Sequence, residues 1–442
     1  MSYKVGMISL GCAKNQVDGE RILYQLTREG FEICGIPEEC DAIIVNTCGF
    51  IEDAKRESIQ NILEAAEYKK NKLKVLAVTG CLSERYREDF AQQFPEVDVV
   101  LGMGTTNMVA DSIKKAIEKG ERTVDFGKKE DFPMSGDRIL TTPPYFAYLK
   151  IAEGCDNRCA FCAIPDIRGH FRSTPMEELL EEARFLASRG CKELNVVAQD
   201  PTRYGQDLYG KLMLPQLLHE LCKIDGIEWI RVLYCYPDRV TDELIKTIAE
   251  EPKIVKYIDL PLQHINDRLL KSMNRRGSTK FIKELLAKIR KEIPGVVIRT
   301  TFIAGMPGET EEEFEDLCDF IRDQAFERLG CFAYSEEEGT PAGEMKNQID
   351  PELRRKRADI IMEEQMGIAL TIAKSCEGEV LDVLCEGYDE ENSCYVGRSY
   401  MDAPDIDTKV YFDSSVEIAE GDFVSVLITG SDGYDLVGEI NE

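Results

Sequence analysis

Within Gly154-Cys155-Asp156-Asn157-Arg158-Cys159-Ala160-Phe161-Cys162, three thiols stand at Cys-x3-Cys-x2-Cys spacing with no fourth ligand nearby. Soft thiolates on one tight loop suit an iron–sulfur cluster. A 4Fe-4S cubane needs four ligands, so three leave one iron open to a small chelating molecule. A structural zinc site and buried inert cysteines are the alternatives. Zinc usually brings a second Cys or His pair about 12–20 residues further on, and His170 and Cys191 do not have that spacing.

Three more cysteines close apolar runs near the start of the chain: Ser9-Leu10-Gly11-Cys12, Asn46-Thr47-Cys48-Gly49 and Thr79-Gly80-Cys81. If those runs are parallel strands, Cys12, Cys48 and Cys81 are delivered to one sheet edge, where open α/β sheets bind ligands. They read as a second three-cysteine cluster site. The alternative is that small apolar cysteines sit well at strand ends. Cys34 and Cys40, which precede a strand, read as structural.

The elements that must position these thiols follow from periodicity. Runs at 5–10, 42–45, 75–78 and 97–101, with helical stretches 19–28 and 55–67 between them, predict a doubly wound α/β domain over residues 1–130. Charge, glycine and Pro143-Pro144 predict a linker over 131–144. Strand–helix alternation resumes over 145–345, with strand candidates at 147–151, 193–198, 229–235, 257–262, 296–304 and 330–334. Six βα units without a seventh predict a partial TIM-like (β/α)6 barrel, with its site in the loops after the strands. Thr174 is expected to cap a helix beginning at Pro175, and Thr310 with Glu313 forms a capping box.

The same edge collects Gln199-Asp200, Tyr236-Pro237, Gln263-His264 and the turn Gly305-Met306-Pro307-Gly308. With Phe161 in the thiol loop, they offer Gln199, Gln263, Gly305 and Pro307 as candidate cofactor contacts. Arg231 and Arg299 fall within strands, where each would either point inward to a carboxylate or pack against helices. His170 and His219 are assigned no role. A helical connector over 346–375 carries Arg354-Arg355-Lys356-Arg357, expected to meet acidic neighbours or solvent rather than nucleic acid. Short alternating segments over 376–442 predict a small antiparallel all-β barrel.

The 442 residues, 43% hydrophobic and 31% charged, describe a multidomain globular chain. No long uncharged apolar run and no signal-peptide pattern occurs, so a cytoplasmic location with no membrane partner is expected. Sixteen cysteines there are no disulfide framework. The net charge of −28 opposes general affinity for nucleic acid. Residues 376–442 hold 18 acidic and 2 basic residues, a net −16, which fits a basic protein partner better than RNA.

The thiol loop resembles that of the radical S-adenosylmethionine (SAM) enzymes. Together with the three early cysteine segments, Tyr257-Ile258-Asp259-Leu260-Pro261-Leu262-Gln263-His264, Lys271-Ser272-Met273-Asn274-Arg275-Arg276 and the terminal barrel, the chain resembles the methylthiotransferase family. That resemblance implies a C-terminal TRAM domain and two 4Fe-4S clusters. Cys155, Cys159 and Cys162 would hold the SAM-cleaving cluster, while Cys12, Cys48 and Cys81 would hold an auxiliary one carrying the sulfur. One SAM would methylate that sulfur. A second would yield the 5′-deoxyadenosyl radical that takes hydrogen from the substrate. Arg231 joins the candidate cofactor contacts, and an electron donor such as flavodoxin or ferredoxin and a sulfide source are expected as partners.

Gly397-Arg398-Ser399, Asp402-Ala403-Pro404-Asp405-Ile406-Asp407 and Cys162-Ala163-Ile164-Pro165 resemble one branch of the family. That branch modifies the β-carbon of an aspartate in the twelfth protein of the small ribosomal subunit. The competing readings are a transfer RNA adenosine methylthiotransferase, a non-enzymatic iron–sulfur carrier or sensor, and a radical SAM enzyme whose second cluster only relays electrons.

Overall fold

The computed structural model describes residues 2–441. Strands β1 (Lys4–Ser9), β2 (Glu32–Ile33), β3 (Ala42–Thr47), β4 (Val75–Gly80), β5 (Val99–Leu101) and β6 (Thr123–Asp125) form a wholly parallel sheet of order β2-β1-β3-β4-β5-β6. Helices α1 (Ala13–Arg28), α2 (Glu52–Glu67), α3 (Cys81–Gln93) and α4 (Val109–Lys119) cover both faces. Val5, Ile22, Ile44 and Ile113 pack on one side; Val45, Ile62, Leu76 and Phe90 pack on the other. Burial on both faces explains why β3 and β4 read as continuous apolar runs. Edge strands β2 and β6 were not expected, being too short to leave a pattern.

The second sheet takes β7 (Phe146–Lys150), then, after a small hairpin of β8 (Ala152–Glu153) and β9 (Arg172–Ser173), β10 (Glu193–Val197), β11 (Trp229–Val232), β12 (Ile254–Asp259), β13 (Val297–Ala304) and β14 (Arg328–Ala333). Its order β14-β13-β12-β11-β10-β7 is parallel and open, the expected partial barrel. Helices α5 (Ile164–Arg168), α6 (Met176–Ser188), α7 (Gln206–Tyr209), α8 (Leu214–Cys222), α9 (Asp242–Glu250), α10 (Asp267–Ser272), α11 (Thr279–Glu292) and α12 (Glu311–Gln324) follow the strands. Residues such as Leu149, Leu194, Ile230 and Ile298 face the helices and form the largest core. The capping box of Thr310 and Glu313 forms as expected. Thr174 does not cap α6: Pro175 is the N-cap, and the Thr174 hydroxyl lies 3.5 Å from the Met134 carbonyl.

Residues 131–144 do not hang free as a linker. Phe132 is buried there, and Arg138 bonds Glu20 of α1 at 2.8 Å and Glu182 of α6 at 3.0 Å, strapping the first sheet's helices to the second's.

The connector is α13 (Pro351–Ser375). Its basic run meets acids, as expected: Arg357 pairs with Glu309 at 2.8 Å and Arg354 with Glu336 at 3.3 Å, while Arg355 and Lys356 face solvent. Strands β15 (Val380–Asp389), β16 (Cys394–Ser399), β17 (Val410–Asp413), β18 (Phe423–Asp432) and β19 (Asp435–Ile440) close a barrel of order β15-β16-β17-β19-β18. The antiparallel expectation is corrected at one pair, since β17 and β19 run parallel.

This barrel seals the base of the second sheet. Arg398 pairs with Glu193 at 2.7 Å, Arg328 with Asp402 at 2.6 Å, and Tyr257 donates to Asp407 at 2.6 Å. Among the described residues no helix is long and apolar enough to cross a membrane.

Candidate active site

Strands β1, β3 and β4 are adjacent, so their carboxyl ends bring Cys12, Cys48 and Cys81 to one edge. Cys12 is the N-cap of α1 and Cys81 opens α3, where helix dipoles favour a thiolate. Gly11 has φ +94°, and a Cβ there would lie 2.9 Å from the Cys48 Cβ, so only glycine lets the two loops meet. Desolvation disfavours a charged Cys12, but Lys14 and Arg168 outweigh it and lower its pKa. Burial raises the Cys81 thiol to about 12 although Arg168 opposes the shift; Cys48 and Cys12 push it further up. Cys81 therefore feels both other thiols across the edge.

The second triad lies on the loop from β8 to α5. Gly154, with φ +75°, packs so tightly that a Cβ would meet the His170 carbonyl. The segment 271–276 clasps the loop from outside: Ala160 donates to the Met273 carbonyl at 2.8 Å and Asn274 to that of Arg158 at 2.8 Å. Arg275 reaches Cys159 Sγ at 3.8 Å, and the Tyr236 hydroxyl lies 3.5 Å from it. Burial pushes Cys155 up to about 11, with Asp200 and Cys159 adding repulsion, and Cys162 is raised further by burial and Cys159. Binding a metal at such thiols must release their protons.

Among the described residues no three His, Cys, Asp or Glu side chains converge at single-ion spacing. A cubane carries its three ligands on separate iron corners, which stand wider apart. A loop of three thiols and a sheet edge of three more supply the soft donor set such a cluster takes.

Helix α5 joins the two triads. It starts just after Cys162 and is five residues long, about 7.5 Å by helical rise. At its end Arg168 places Nη2 3.5 Å from Cys81 Sγ. Arg168 also pairs with Asp18 at 2.9 Å and Glu153 at 3.0 Å, and Lys150 binds the same two carboxylates. All four are almost fully buried.

A cavity of about 370 Å3 is lined by Phe50 and Ile51 of the first domain and Phe161, Gln263, Ile303 and Tyr334 of the second. Phe50 lies two residues after Cys48 and Phe161 directly precedes Cys162, so each cysteine loop sends an aromatic ring to it although no cysteine lines it. Expected contacts Phe161 and Gln263 face this space, the latter with φ +69°.

Gln199 donates to Glu153 at 3.3 Å and leaves its buried Oε1 without a partner. Arg231 does not reach the mouth: fully buried at the base, it bonds Glu193 at 2.9 Å and the Tyr400 carbonyl at 2.8 Å. Gly305 and Pro307 do not line this cavity. A Cβ on Gly305 would strike Arg354 of α13, and the Gly305 N–H donates to Glu309, so the turn packs on the connector helix, while Met306 within it packs with Ala160 and Phe161 of the thiol loop. Lys14, Asp18, Lys150, Glu153 and Arg168 were missed by sequence reasoning.

Residues 149–321 match the Radical SAM superfamily, 4–102 the uncharacterized protein family UPF0004, and 378–440 the TRAM domain. The radical SAM methyltransferase TsrM of Kitasatospora setae, 14% identical, shares the fold with a TM-score of 0.57 over 88% of this chain and 79% of its own. Fold and matched families thus define a radical SAM enzyme with an appended cysteine-bearing domain and a TRAM barrel, using 4Fe-4S clusters and SAM.

Full-length similarity narrows the class. Ribosomal protein uS12 methylthiotransferase RimO of Thermoanaerobacter sp. (strain X514) is 52% identical over 98% of this chain and 99% of its own. That of Clostridium tetani (strain Massachusetts / E88) is 46% identical over 99% and 98%. The chain belongs to the RimO family of uS12 methylthiotransferases.

Proposed function

We propose that this chain transfers a methylthio group to the β-carbon of an aspartate in ribosomal protein uS12, with Cys155, Cys159 and Cys162 holding the SAM-cleaving cluster and Cys12, Cys48 and Cys81 the auxiliary one. The observation that carries the proposal is α5, which leads from the Cys162 loop to Arg168 against Cys81 at 3.5 Å. Sulfur transfer to a carbon radical needs both cysteine sites to face one space, and the 370 Å3 cavity, which takes Phe50 from one cysteine loop and Phe161 from the other, supports that reading.

When bound, the clusters and SAM supply the electron, the 5′-deoxyadenosyl radical and the methylthio sulfur. The protein supplies position and dryness. Arg168 and Lys150, neutralised by Asp18 and Glu153, hold the first domain against the barrel mouth. On the opposite rim Lys55 and Arg85 both bind Glu337, at 3.1 and 2.7 Å. Phe50, Ile51, Phe161 and Ile303 give the cavity apolar walls that exclude water from a reactive radical.

The wider setting belongs to the same proposal. Work in the cytoplasm, a sulfide source and a flavodoxin or ferredoxin as electron donor complete the reaction. Outside the Cys159 loop, Arg158, Arg203, Arg239 and Arg276 line a cavity of about 360 Å3 with Asp156, and of these arginines only Arg158 has no carboxylate partner among the described residues.

The test is anaerobic reconstitution with iron and sulfide, followed by SAM, a reductant and a uS12 loop peptide or the small ribosomal subunit. A mass gain of one methylthio group in place of hydrogen, lost in Cys48→Ala and in Cys159→Ala, is expected. Modification of transfer RNA without modification of peptide or subunit would overturn the substrate.

A further inference from the structure

One largely buried cation near the cysteine edge faces the Cys12 thiol but has no carboxylate partner. Lys14 is 8% exposed and sits in the first turn of α1, two residues after Cys12. A positive charge there opposes the helix dipole, and that first turn contains no acidic residue. A buried ammonium also requires a counter-charge.

The neighbouring acids are committed elsewhere. Asp18 and Glu153 bind Lys150 and Arg168, and Glu20 binds Arg138. Among the described residues no carboxylate comes within ion-pair distance of Lys14. Its Nζ instead lies 3.3 Å from the centroid of the Tyr234 ring. Tyr234 follows β11 at the barrel mouth and holds φ +71°, a strained backbone for a non-glycine residue, with its N–H on Asp259 at 2.8 Å. The ammonium is thereby held between Cys12 and the Tyr234 ring at the mouth of the barrel.

We infer that Lys14 recognises a substrate carboxylate, that of the aspartate to be modified, and so acts as a specificity-determining residue. The inference rests on the methylthio transfer proposed above. Its chemistry fits that reaction, because the reacting β-carbon is one bond from the carboxyl carbon that Lys14 would anchor. A charge-assisted bond in a desolvated site favours aspartate over its neutral isostere asparagine. The methionine carboxylate of SAM is the other source of the same chemistry.

The test uses the full chain with both clusters reconstituted and a fluorescent uS12 loop peptide carrying aspartate, or asparagine at the same position. Binding is read by anisotropy. The wild type is expected to prefer the aspartate peptide about tenfold or more. Lys14→Met should erase that preference by weakening the aspartate peptide alone, whereas Lys14→Arg should keep most of it. SAM affinity, and iron held by Cys155, Cys159 and Cys162, should not change in either variant, and Lys14→Arg should also keep the iron of the N-terminal site.

Equal binding of the two peptides by the wild type, or an intact preference in Lys14→Met, would overturn the inference. A loss of SAM affinity would assign the carboxylate to SAM. Iron lost from the N-terminal site alone would make Lys14 a counter-charge for that cluster. Failure of the wild type to transfer a methylthio group would strike the proposed function instead, and is read separately by peptide mass.

Discussion

The two cysteine sites are built in opposite ways. Cys155, Cys159 and Cys162 lie within eight residues on one loop, clasped by the neighbouring segment 271–276. Cys12, Cys48 and Cys81 are more than thirty residues apart and meet only because β1, β3 and β4 are neighbours. The first site depends on local chain, the second on a whole sheet and on Arg168 reaching in from another domain. Chemistry confined to one loop tolerates loosening of the molecule; chemistry assembled from strand ends does not.

The strongest way to break the comparison is to remove one thiol from each site. Cys159→Ala should abolish both SAM cleavage and peptide modification. Cys48→Ala should abolish modification while leaving reductive cleavage of SAM to 5′-deoxyadenosine. Product mass and 5′-deoxyadenosine yield, measured on the same reconstituted samples, separate the two. Loss of SAM cleavage in Cys48→Ala would mean that the sites are not independent.

Arg168→Ala is expected to come next. It strands Asp18 and Glu153 on a single buried lysine and should cost about 3–5 kcal/mol. Because Arg168 touches Cys81, the variant should lose iron from the N-terminal site and keep it at the loop, a difference readable by iron count in backgrounds lacking one triad. Equal loss from both sites would contradict the asymmetry.

Acid sharpens the same point. Burial disfavours a charged Glu153, but Arg168 and then Lys150 overcome it and hold its carboxyl well below the usual range. A depressed carboxyl gives stability that is complete above its unfolded value, about 4.3, and is lost as pH falls below that. The melting temperature of the metal-free chain should therefore drop below about pH 4.3 more steeply in wild type than in Glu153→Gln.

Features carried by neighbouring residues were legible in the sequence: the apolar runs of both sheets, the capping box at Thr310, and both cysteine patterns. What escaped depends on partners far along the chain. Arg168 meets Cys81 and Asp18, and Lys14 meets Tyr234, across separations of 87, 150 and 220 residues. Thr174 was read as a cap because Pro175 usually opens a helix at its first position, whereas here the proline is itself the cap. The segment Asp402–Asp407 resembled a substrate-branch signature, yet Asp402 and Asp407 face inward to Arg328, Tyr257 and Arg299 and seal the barrel base. A motif can mark a family through packing as well as through contact with substrate.

Arg231 tests the contrast between base and mouth with the smallest expected effect on chemistry. Alternation within β11 turns its side chain inward, but nothing in the strand tells which end of the barrel it serves. The structure sets it at the base, over the Tyr257 ring and bonded to Glu193 and the Tyr400 carbonyl. Arg231→Met keeps much of the volume and leaves Glu193 paired with Arg398, so the loss is the charged hydrogen bonds, about 1.5–3 kcal/mol. The melting temperature should fall while SAM affinity stays within about twofold of wild type, a difference under 0.5 kcal/mol. A tenfold loss of SAM binding at unchanged stability would return Arg231 to the cofactor site and require the TRAM barrel to move away from the base during turnover.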